Sequence, residues 1–496
     1  MPVFVRAARV LECVCAGALL LAQSSPDPVR ESGIASALVQ AGKPEEAIPI
    51  YRKLATAYPH ELSLQLNLVV ALYKAGHYEE TVSQCGTLVK TAPNLFPVWL
   101  FLGAAKAKLG DAAGAEEPLR KAVSLNADDV NARIILADAM AATGRYAEAV
   151  THYSTAAERI PSLPRSWYGL GLNYELLARE SLARLNEHAP SSPEALALSG
   201  DLDLDSAQIA KAFLHFRQAL HLRPDFPGLH AKLAEVYAAA GHPDWAATES
   251  HNERERRPTA CQSDSLLECD VQARNLEKAA SAPAQLPQDI YWQAQAFLEL
   301  SRNAYSKLNA LPPSPESYEA AARREENRGR YPEAVAAWQK ALQLDQKSQE
   351  LQRGLVLAQC RNNDCVSALP LLRQAITEHP VSAEWNYLYG LSLVTIREPL
   401  KAISYLQTSL RLDPSFSPVS GVLGEAYLEA GKPEEAIASL KAALPHDETG
   451  SRHYQLALAY RAAGKEAQAR DMLRRYREII ETTRTQDAPI SAITPP

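Results

Sequence analysis

The sequence contains one stretch of eight residues twice. Ala41-Gly42-Lys43-Pro44-Glu45-Glu46-Ala47-Ile48 returns without a change at residues 430–437. Gly42 can adopt the left-handed backbone that ends a helix, and Pro44 suits the first turn of the next helix, where its missing N–H is not needed. Each copy therefore predicts a tight corner between two helices.

Looser copies of this corner begin at Ala75, Thr143, Arg328 and Ala463. The glycines of four successive corners, Gly42, Gly76, Gly110 and Gly144, follow one another at intervals of 34 residues. A fixed period in this range is typical of an array of helical repeats. Between the corners, apolar residues recur at helical spacing, so that each helix is predicted to have one apolar face. Stacked pairs would bury these faces in a continuous core that includes Trp99 and Trp338.

The residues between the corners resemble the tetratricopeptide repeat family. Trp99, Leu102 and Gly103 precede Ala115 and Leu119 at the spacing of that family's first and second helices, and Trp167-Leu170-Gly171-Tyr174 follows the same pattern. The resemblance extends over residues 28 to 480. It implies an all-α fold, a right-handed α-solenoid of stacked helix-turn-helix pairs.

The repeats are interrupted at two related places. Residues 164–192 form a short unit whose corner is missing, and it is predicted either to continue as one long helix or to bend without a turn. A similar unit recurs at 290–313, and the two repeats that follow it match earlier ones at an offset of 122 or 123 residues. We infer a duplicated block and two related lobes. The predicted arrays are residues 28–258 and 289–481, joined by a connector at 259–288.

The two ends of the chain differ from the repeats. Residues 1–22 contain Arg6, Arg9, an apolar run and a small residue, Ala22, which is typical of a secretory signal peptide. An uncleaved anchor or a wrongly assigned start are the alternatives. With the signal removed, we expect no transmembrane span and a periplasmic or secreted protein. Residues 482–496 are rich in Thr and Pro and are predicted to be disordered.

Five cysteines remain once the predicted signal is removed. Cys360 and Cys365 flank a corner, and a disulfide between them would hold the turn closed. A disulfide between Cys261 and Cys269 would close a small loop in the connector. The alternative is a set of unrelated thiols in a reducing compartment. Cys85 takes the repeat position of Leu119 and is predicted to be a core thiol.

The sequence offers no convincing catalytic, cofactor or metal site. Asp201, Asp203 and Asp205 resemble the start of a calcium loop, but Ser206 replaces the turn glycine and Ala212 stands where the closing carboxylate belongs. Phosphate-binding glycine loops, nucleophile elbows and zinc-ribbon spacings are missing from the sequence. The formal net charge of −7 gives no basic footprint for nucleic acid. We therefore expect a protein that is not an enzyme and has no cofactor.

The resemblance implies that the first helix of each pair lines a concave surface that binds ligands. Carried over repeat by repeat, this groove would present Leu66, Val70, Tyr73, Leu100, Ile134, Tyr168 and Leu172. An apolar groove suits an amphipathic helix or an extended peptide. The alternative is that several of these residues simply pack helix against helix. The expected function is an exported scaffold that binds proteins or peptides, or else an accessory subunit that presents substrates to a separate glycan-modifying or secretion enzyme.

Overall fold

The computed structural model describes residues 27–256, 261, 265–447, 449–484 and 493–496. Within those ranges the chain forms 26 α-helices and a short 3-10 helix, Leu444–His446, and no strand. The predicted all-α fold is therefore confirmed. The same ranges contain no helix with the length and apolar character needed to cross a membrane. The predicted signal peptide, residues 1–22, lies outside the described residues.

The helices form two compact units, one ending at Arg145 and the other beginning at Tyr146. Unit 1 contains α1 (Pro28–Gln40), α2 (Pro44–Ala57), α3 (Leu62–Ala75), α4 (Tyr78–Thr91), α5 (Phe96–Lys108), α6 (Ala112–Leu125) and α7 (Val130–Ala142). Consecutive helices pack against each other, and the first helices of successive pairs also touch, α1 with α3, α3 with α5, and α5 with α7. The first helices therefore share one surface of unit 1.

The corners of unit 1 have the predicted geometry. α1 ends at Gln40, Gly42 follows with a φ of +74°, and Pro44 begins α2. Gly76 and Gly110 repeat the left-handed backbone with φ values of +87° and +83°. Since L side chains rarely tolerate this conformation, a glycine at the corner lets the chain reverse within three residues.

Unit 2 contains nineteen helices. The first six are α8 (Tyr146–Arg159), α9 (Pro164–His188), α10 (Pro193–Asp205), α11 (Ile209–Leu222), α12 (Leu229–Ala239) and α13 (Pro243–Arg256). The next seven are α14 (Leu266–Gln272), α15 (Leu276–Ser281), α16 (Pro287–Asn309), α17 (Pro315–Asn327), α18 (Tyr331–Leu344), α19 (Gln349–Arg361) and α20 (Cys365–Glu378). The last six are α21 (Ala383–Thr395), α22 (Pro399–Leu412), α23 (Pro418–Glu429), α24 (Pro433–Ala443), α25 (Ser451–Ala462) and α26 (Glu466–Arg484).

The inferred duplication is visible in the helix bounds. The bounds of α10, α11 and α13 recur 122 residues later as those of α17, α18 and α20. The two cornerless units correspond to α9 and α16, which are single helices of 25 and 23 residues. The first of the two alternatives, one long helix, is therefore the one observed. α14 and α15 lie within the predicted connector, residues 259–288, and both pack on α16.

The two long helices pack against each other, although 98 residues separate them in the sequence. We call α9 and α16 the long-helix pair. Tyr174 and Phe297, which are equivalent residues of the duplicated block, stack with ring centroids 6.2 Å apart. α9 also contacts α17, and α16 contacts α10. The two copies of the block are thus joined reciprocally through their first helices, an arrangement that a simple sequence of neighbouring repeats does not contain.

Small residues let neighbouring helices approach closely. A Cβ atom added to Gly103 would lie 2.4 Å from the Leu119 side chain, and one added to Gly354 would lie 2.5 Å from the Trp338 ring. Trp338 is only 2% exposed, as predicted. Trp99, in contrast, is only half-buried. It packs against the core around Val98 and Leu102, as predicted, but its indole N–H donates a hydrogen bond to the Pro93 carbonyl oxygen at 2.7 Å, at the edge of the repeat.

Candidate functional site

Four of the predicted groove residues lie half-buried on the first helices of unit 1. They are Leu66, Val70 and Tyr73 on α3 and Leu100 on α5. The Tyr73 ring meets the rings of Tyr78 and Phe101 with centroid distances of 5.5 and 5.2 Å. Burial raises the pKa of the Tyr73 hydroxyl above its ordinary value of 10. We call the four residues Leu66, Val70, Tyr73 and Leu100 the first-helix surface.

The other predicted groove residues have different environments. Ile134 on α7 is 7% exposed, which fits the alternative that it packs helix against helix. Tyr168 and Leu172 lie on α9 and therefore belong to unit 2. The Tyr168 hydroxyl, 2% exposed, donates a hydrogen bond to the Glu319 carboxylate on α17 at 2.7 Å. Tyr168 is thus a residue of the contact between the duplicated blocks.

Leu172 lines a cavity of about 720 Å³ between α9, α10, α16 and α17. Several charged side chains surround this cavity, among them Glu175, Arg179, Asp205, Arg302, Arg323 and Arg324. The Arg302 guanidinium binds the Asp205 carboxylate at 3.0 Å, and Arg323 binds Glu319 at 2.8 Å. Two of the arginines are thus already paired with carboxylates, and the cavity lies at the seam of the long-helix pair.

One carboxyl group in this seam has an unusual protonation state. Burial raises the pKa of Glu175 to about 7, the neighbouring Asp205 carboxylate adds to the rise, and Arg179 and Arg323 oppose it. The pKa of the nearby Tyr305 hydroxyl is also raised, chiefly by burial. Glu175 therefore changes charge close to neutral pH. Sequence reasoning missed this residue, because the helix that covers it, α16, is distant in the chain.

The three aspartates that resemble a calcium loop point to three different partners. Asp201 pairs with Lys232 at 3.0 Å and accepts a hydrogen bond from Gln295 at 2.5 Å. Asp203 pairs with His215 at 2.7 Å, and Asp205 with Arg302. Across the described residues, no group of three or more His, Cys, Asp or Glu side chains is placed to hold a metal ion. The aspartates serve contacts between helices.

The cysteines form two short loops. Cys261 is bonded to Cys269, and Cys360 to Cys365 across the corner between α19 and α20. Asn363 in that corner has a φ of +58°, a left-handed backbone without a glycine. Cys85 is a free, buried thiol, and burial raises its pKa to about 12. Its predicted place in the core is confirmed, since it packs with Val69 and Leu102.

Three solved structures illustrate what the fold is similar to. The Cut9–Hcn1 hetero-tetramer of the APC/C is 13% identical, with 92% of this chain and 94% of that chain covered and a TM-score of 0.34. A tetratricopeptide repeat protein from Parabacteroides merdae is 11% identical, with 67% and 98% covered and a TM-score of 0.32. YrrB, described as a TPR protein with an unusual peptide-binding site, is 18% identical, with 40% and 88% covered and a TM-score of 0.28. At these TM-scores none of the three assigns a partner or an activity to this chain.

Family models identify the repeat itself. Four models, each described as a tetratricopeptide repeat, match residues 32–160, 353–416, 397–459 and 453–479. Together they cover just over half of the chain, including both copies of the octapeptide. No curated protein matches the sequence. The helix pairs, the glycine corners and the matched models together show that this chain belongs to the tetratricopeptide repeat family.

Proposed function

We propose that this chain is a non-enzymatic scaffold that binds partner proteins on the first-helix surface of unit 1. The observation that carries the proposal is the row of half-buried apolar side chains on helices that touch one another, Leu66, Val70, Tyr73 and Leu100. An amphipathic helix or an extended peptide can dock its apolar side-chain anchors on such a row. Aromatic side chains such as Tyr73 are typical anchors of protein interfaces.

A single charge at the centre of this surface tests the proposal. In Tyr73→Glu, a carboxylate would have to be desolvated by any partner that covers the surface, so affinity should fall at least tenfold. Thr87→Glu on α4 is the matched control, because Thr87 is exposed on a second helix of the same unit. Both variants and the unchanged protein would be used to capture partners from the native source, with quantification by mass spectrometry.

We expect a set of proteins that is retained by Thr87→Glu and lost by Tyr73→Glu. Identical sets from all three proteins would refute the role of this surface. If the lost proteins include a glycan-modifying or secretion enzyme, the second hypothesis, an accessory subunit that presents substrates, would replace that of a general scaffold.

We further propose that the protein acts outside the cytoplasm. Two observations support this, the signal-like residues 1–22 and the pairing of four cysteines into short-range disulfides, which persist in oxidising compartments. Amino-terminal sequencing of the mature protein from its native source is the direct test. We expect a terminus near Gln23 in a periplasmic or secreted fraction, and an intact residue 1 in a cytosolic fraction would refute export.

A further inference from the structure

The duplicated block ends differently in its two copies. In the second copy α21 packs against both α19 and α20, so the next repeat covers the end of the copy. In the first copy α12 packs against α10, α11 and α13, and the chain then continues to α14, which packs against α15 and α16. The end of the first copy is therefore available to another segment.

A segment from the opposite end of the chain, residues 493–496, lies there. The prediction of a disordered tail over residues 482–496 is therefore wrong for this segment and for residues 482–484, which belong to α26, while residues 485–492 lie outside the described residues. The Tyr237 hydroxyl on α12 donates a hydrogen bond to the backbone carbonyl oxygen of Thr494 at 2.7 Å. Ile493 is 7% exposed, whereas the three residues that follow it are exposed. A buried side chain beside a backbone hydrogen bond combines the two kinds of contact by which extended peptides dock on folded domains.

The surface that receives the segment is aromatic. The Tyr237 ring lies 5.8 Å from the Phe213 ring and 5.6 Å from the Trp245 ring, centroid to centroid, and His242 stacks on Trp245 at 4.0 Å. Tyr237 itself has no exposed surface. The segment ends in Pro495 and Pro496, and successive prolines favour an extended polyproline II backbone, which costs little entropy to fix.

We propose that Tyr237 and its aromatic neighbours form a peptide-docking site at the end of the first block, and that the carboxy-terminal segment of this chain occupies the site in cis. Other peptides of the same chemistry compete with this segment for the site. Such a peptide is extended and has a branched apolar residue followed by a free backbone carbonyl and prolines. The site is separate from the first-helix surface, because it lies in unit 2.

The test uses a chain shortened to end at Arg484 and a fluorescent synthetic peptide with the sequence of residues 485–496. We expect the peptide to bind the shortened chain and to bind the full chain at least tenfold more weakly, since the covalently attached segment competes at a high effective concentration. Fluorescence anisotropy measures both affinities. Because truncation could disturb folding, Ile493→Asp in the full chain provides a second opened form, and it should bind the peptide as the shortened chain does.

Matched variants assign the contacts. Tyr237→Phe in the shortened chain should weaken peptide binding about two- to tenfold, the effect of one hydrogen bond. Tyr460→Phe on α25 changes a tyrosine at the equivalent repeat position and should leave binding unchanged. In the peptide, Ile493→Asp should abolish binding. Thr494→Ala should have no effect, since only the backbone oxygen of Thr494 accepts the hydrogen bond.

Three results would overturn the proposal. The peptide could fail to bind both opened forms, it could bind the full chain as tightly as the shortened one, or Tyr460→Phe could weaken binding as much as Tyr237→Phe. Light scattering adds one further outcome. A full-length dimer that Ile493→Asp converts to a monomer would mean that the segment docks on a second copy, and occupation in cis would be wrong.

Discussion

Unit 1 and the long-helix pair of unit 2 are built from the same repeat, yet they bury apolar surface in different ways. In unit 1 each helix packs on its neighbours in sequence, and a glycine such as Gly42 or Gly76 sets each corner. In unit 2, α9 and α16 have no corner and bury their surface on each other. A repeat that loses its corner thus becomes a long helix that needs a distant partner.

The comparison predicts that the loss of a packed aromatic side chain destabilises more distant helices in the long-helix pair than in unit 1. Phe297 on α16 is 6% exposed and stacks on Tyr174, whereas Phe101 on α5 is half-buried and lies beside Tyr73. Phe297→Ala should cost about 3–5 kcal/mol, as for a buried aromatic residue. Hydrogen exchange should accelerate in both α9 and α16. The matched variant Phe101→Ala should cost less stability and should accelerate exchange only in helices adjacent to α5. The comparison would be contradicted if the two variants cost the same and each accelerated exchange only in neighbouring helices.

A smaller effect concerns the seam of the long-helix pair. The pKa of Glu175 in the folded protein is about 7, above its ordinary value of 4.5, so the folded state favours the neutral carboxyl. The contribution of this group to folding stability should therefore be greatest below pH 4.5. It should fall as the pH rises through 7, by at most about 3 kcal/mol in all.

Glu175→Gln should remove this decline, which thermal unfolding between pH 5 and 8 would detect. The groups that face Glu175 are Asp205, Arg179, Arg323 and Tyr305. Glu116→Gln in unit 1 is the matched control, because it makes the same substitution at a carboxylate that is paired with Arg145 and lies outside the seam. An unchanged slope in Glu175→Gln would show that the carboxyl ionises normally.

A third prediction compares two kinds of corner. The corner between α19 and α20 is closed by the disulfide of Cys360 and Cys365, whereas Gly42 closes the corner between α1 and α2. Replacing both cysteines by alanine should cost about 2 kcal/mol, the loop-closure entropy of a short loop. Urea denaturation under oxidising conditions measures the loss. Added reductant should not lower the stability of the double variant through this corner. A further loss of stability on reduction would be due to the disulfide of Cys261 and Cys269.

The smallest expected effect is at corners without a glycine. Ala207 has a φ of +57°, a backbone that costs an L-residue about 1 kcal/mol. Ala207→Gly should therefore stabilise the protein by about that amount. Gly431→Ala is the reverse experiment, since Gly431 has a φ of +72° and open space around its Cα, and it should destabilise by about 1 kcal/mol. Thermal unfolding of the pair would test both signs.

The repeat could be predicted from the sequence because its determinants are local. A left-handed glycine and a proline at the first helical position define a corner within four residues, as Gly42 and Pro44 do. The partial exposure of Trp99 could not be predicted from local patterns. Its indole N–H reaches the Pro93 carbonyl at the edge of the repeat, and apolar spacing does not reveal that hydrogen bond.

Local sequence patterns could not predict that α16 packs on α9. The sequence nevertheless contains a signal, because residues 290–300 of α16 place apolar side chains on every side of the helix, as in Tyr291, Trp292 and Phe297. A helix that is apolar all round is buried on all sides. The environments of the candidate groove residues could be predicted only in part for the same reason. Val70 and Tyr73 depend on neighbouring repeats, whereas Tyr168 meets α17 through a contact that spans 151 residues.

The long-helix pair also has a consequence for biosynthesis. His188 ends α9 and Pro287 begins α16, so 98 residues are translated between them. At typical rates of about 5–20 residues per second, the ribosome needs roughly 5–20 s for that stretch. Throughout this interval the side of α9 that later packs on α16, with Tyr174, has no partner, and such exposed apolar surface makes a nascent chain prone to aggregate.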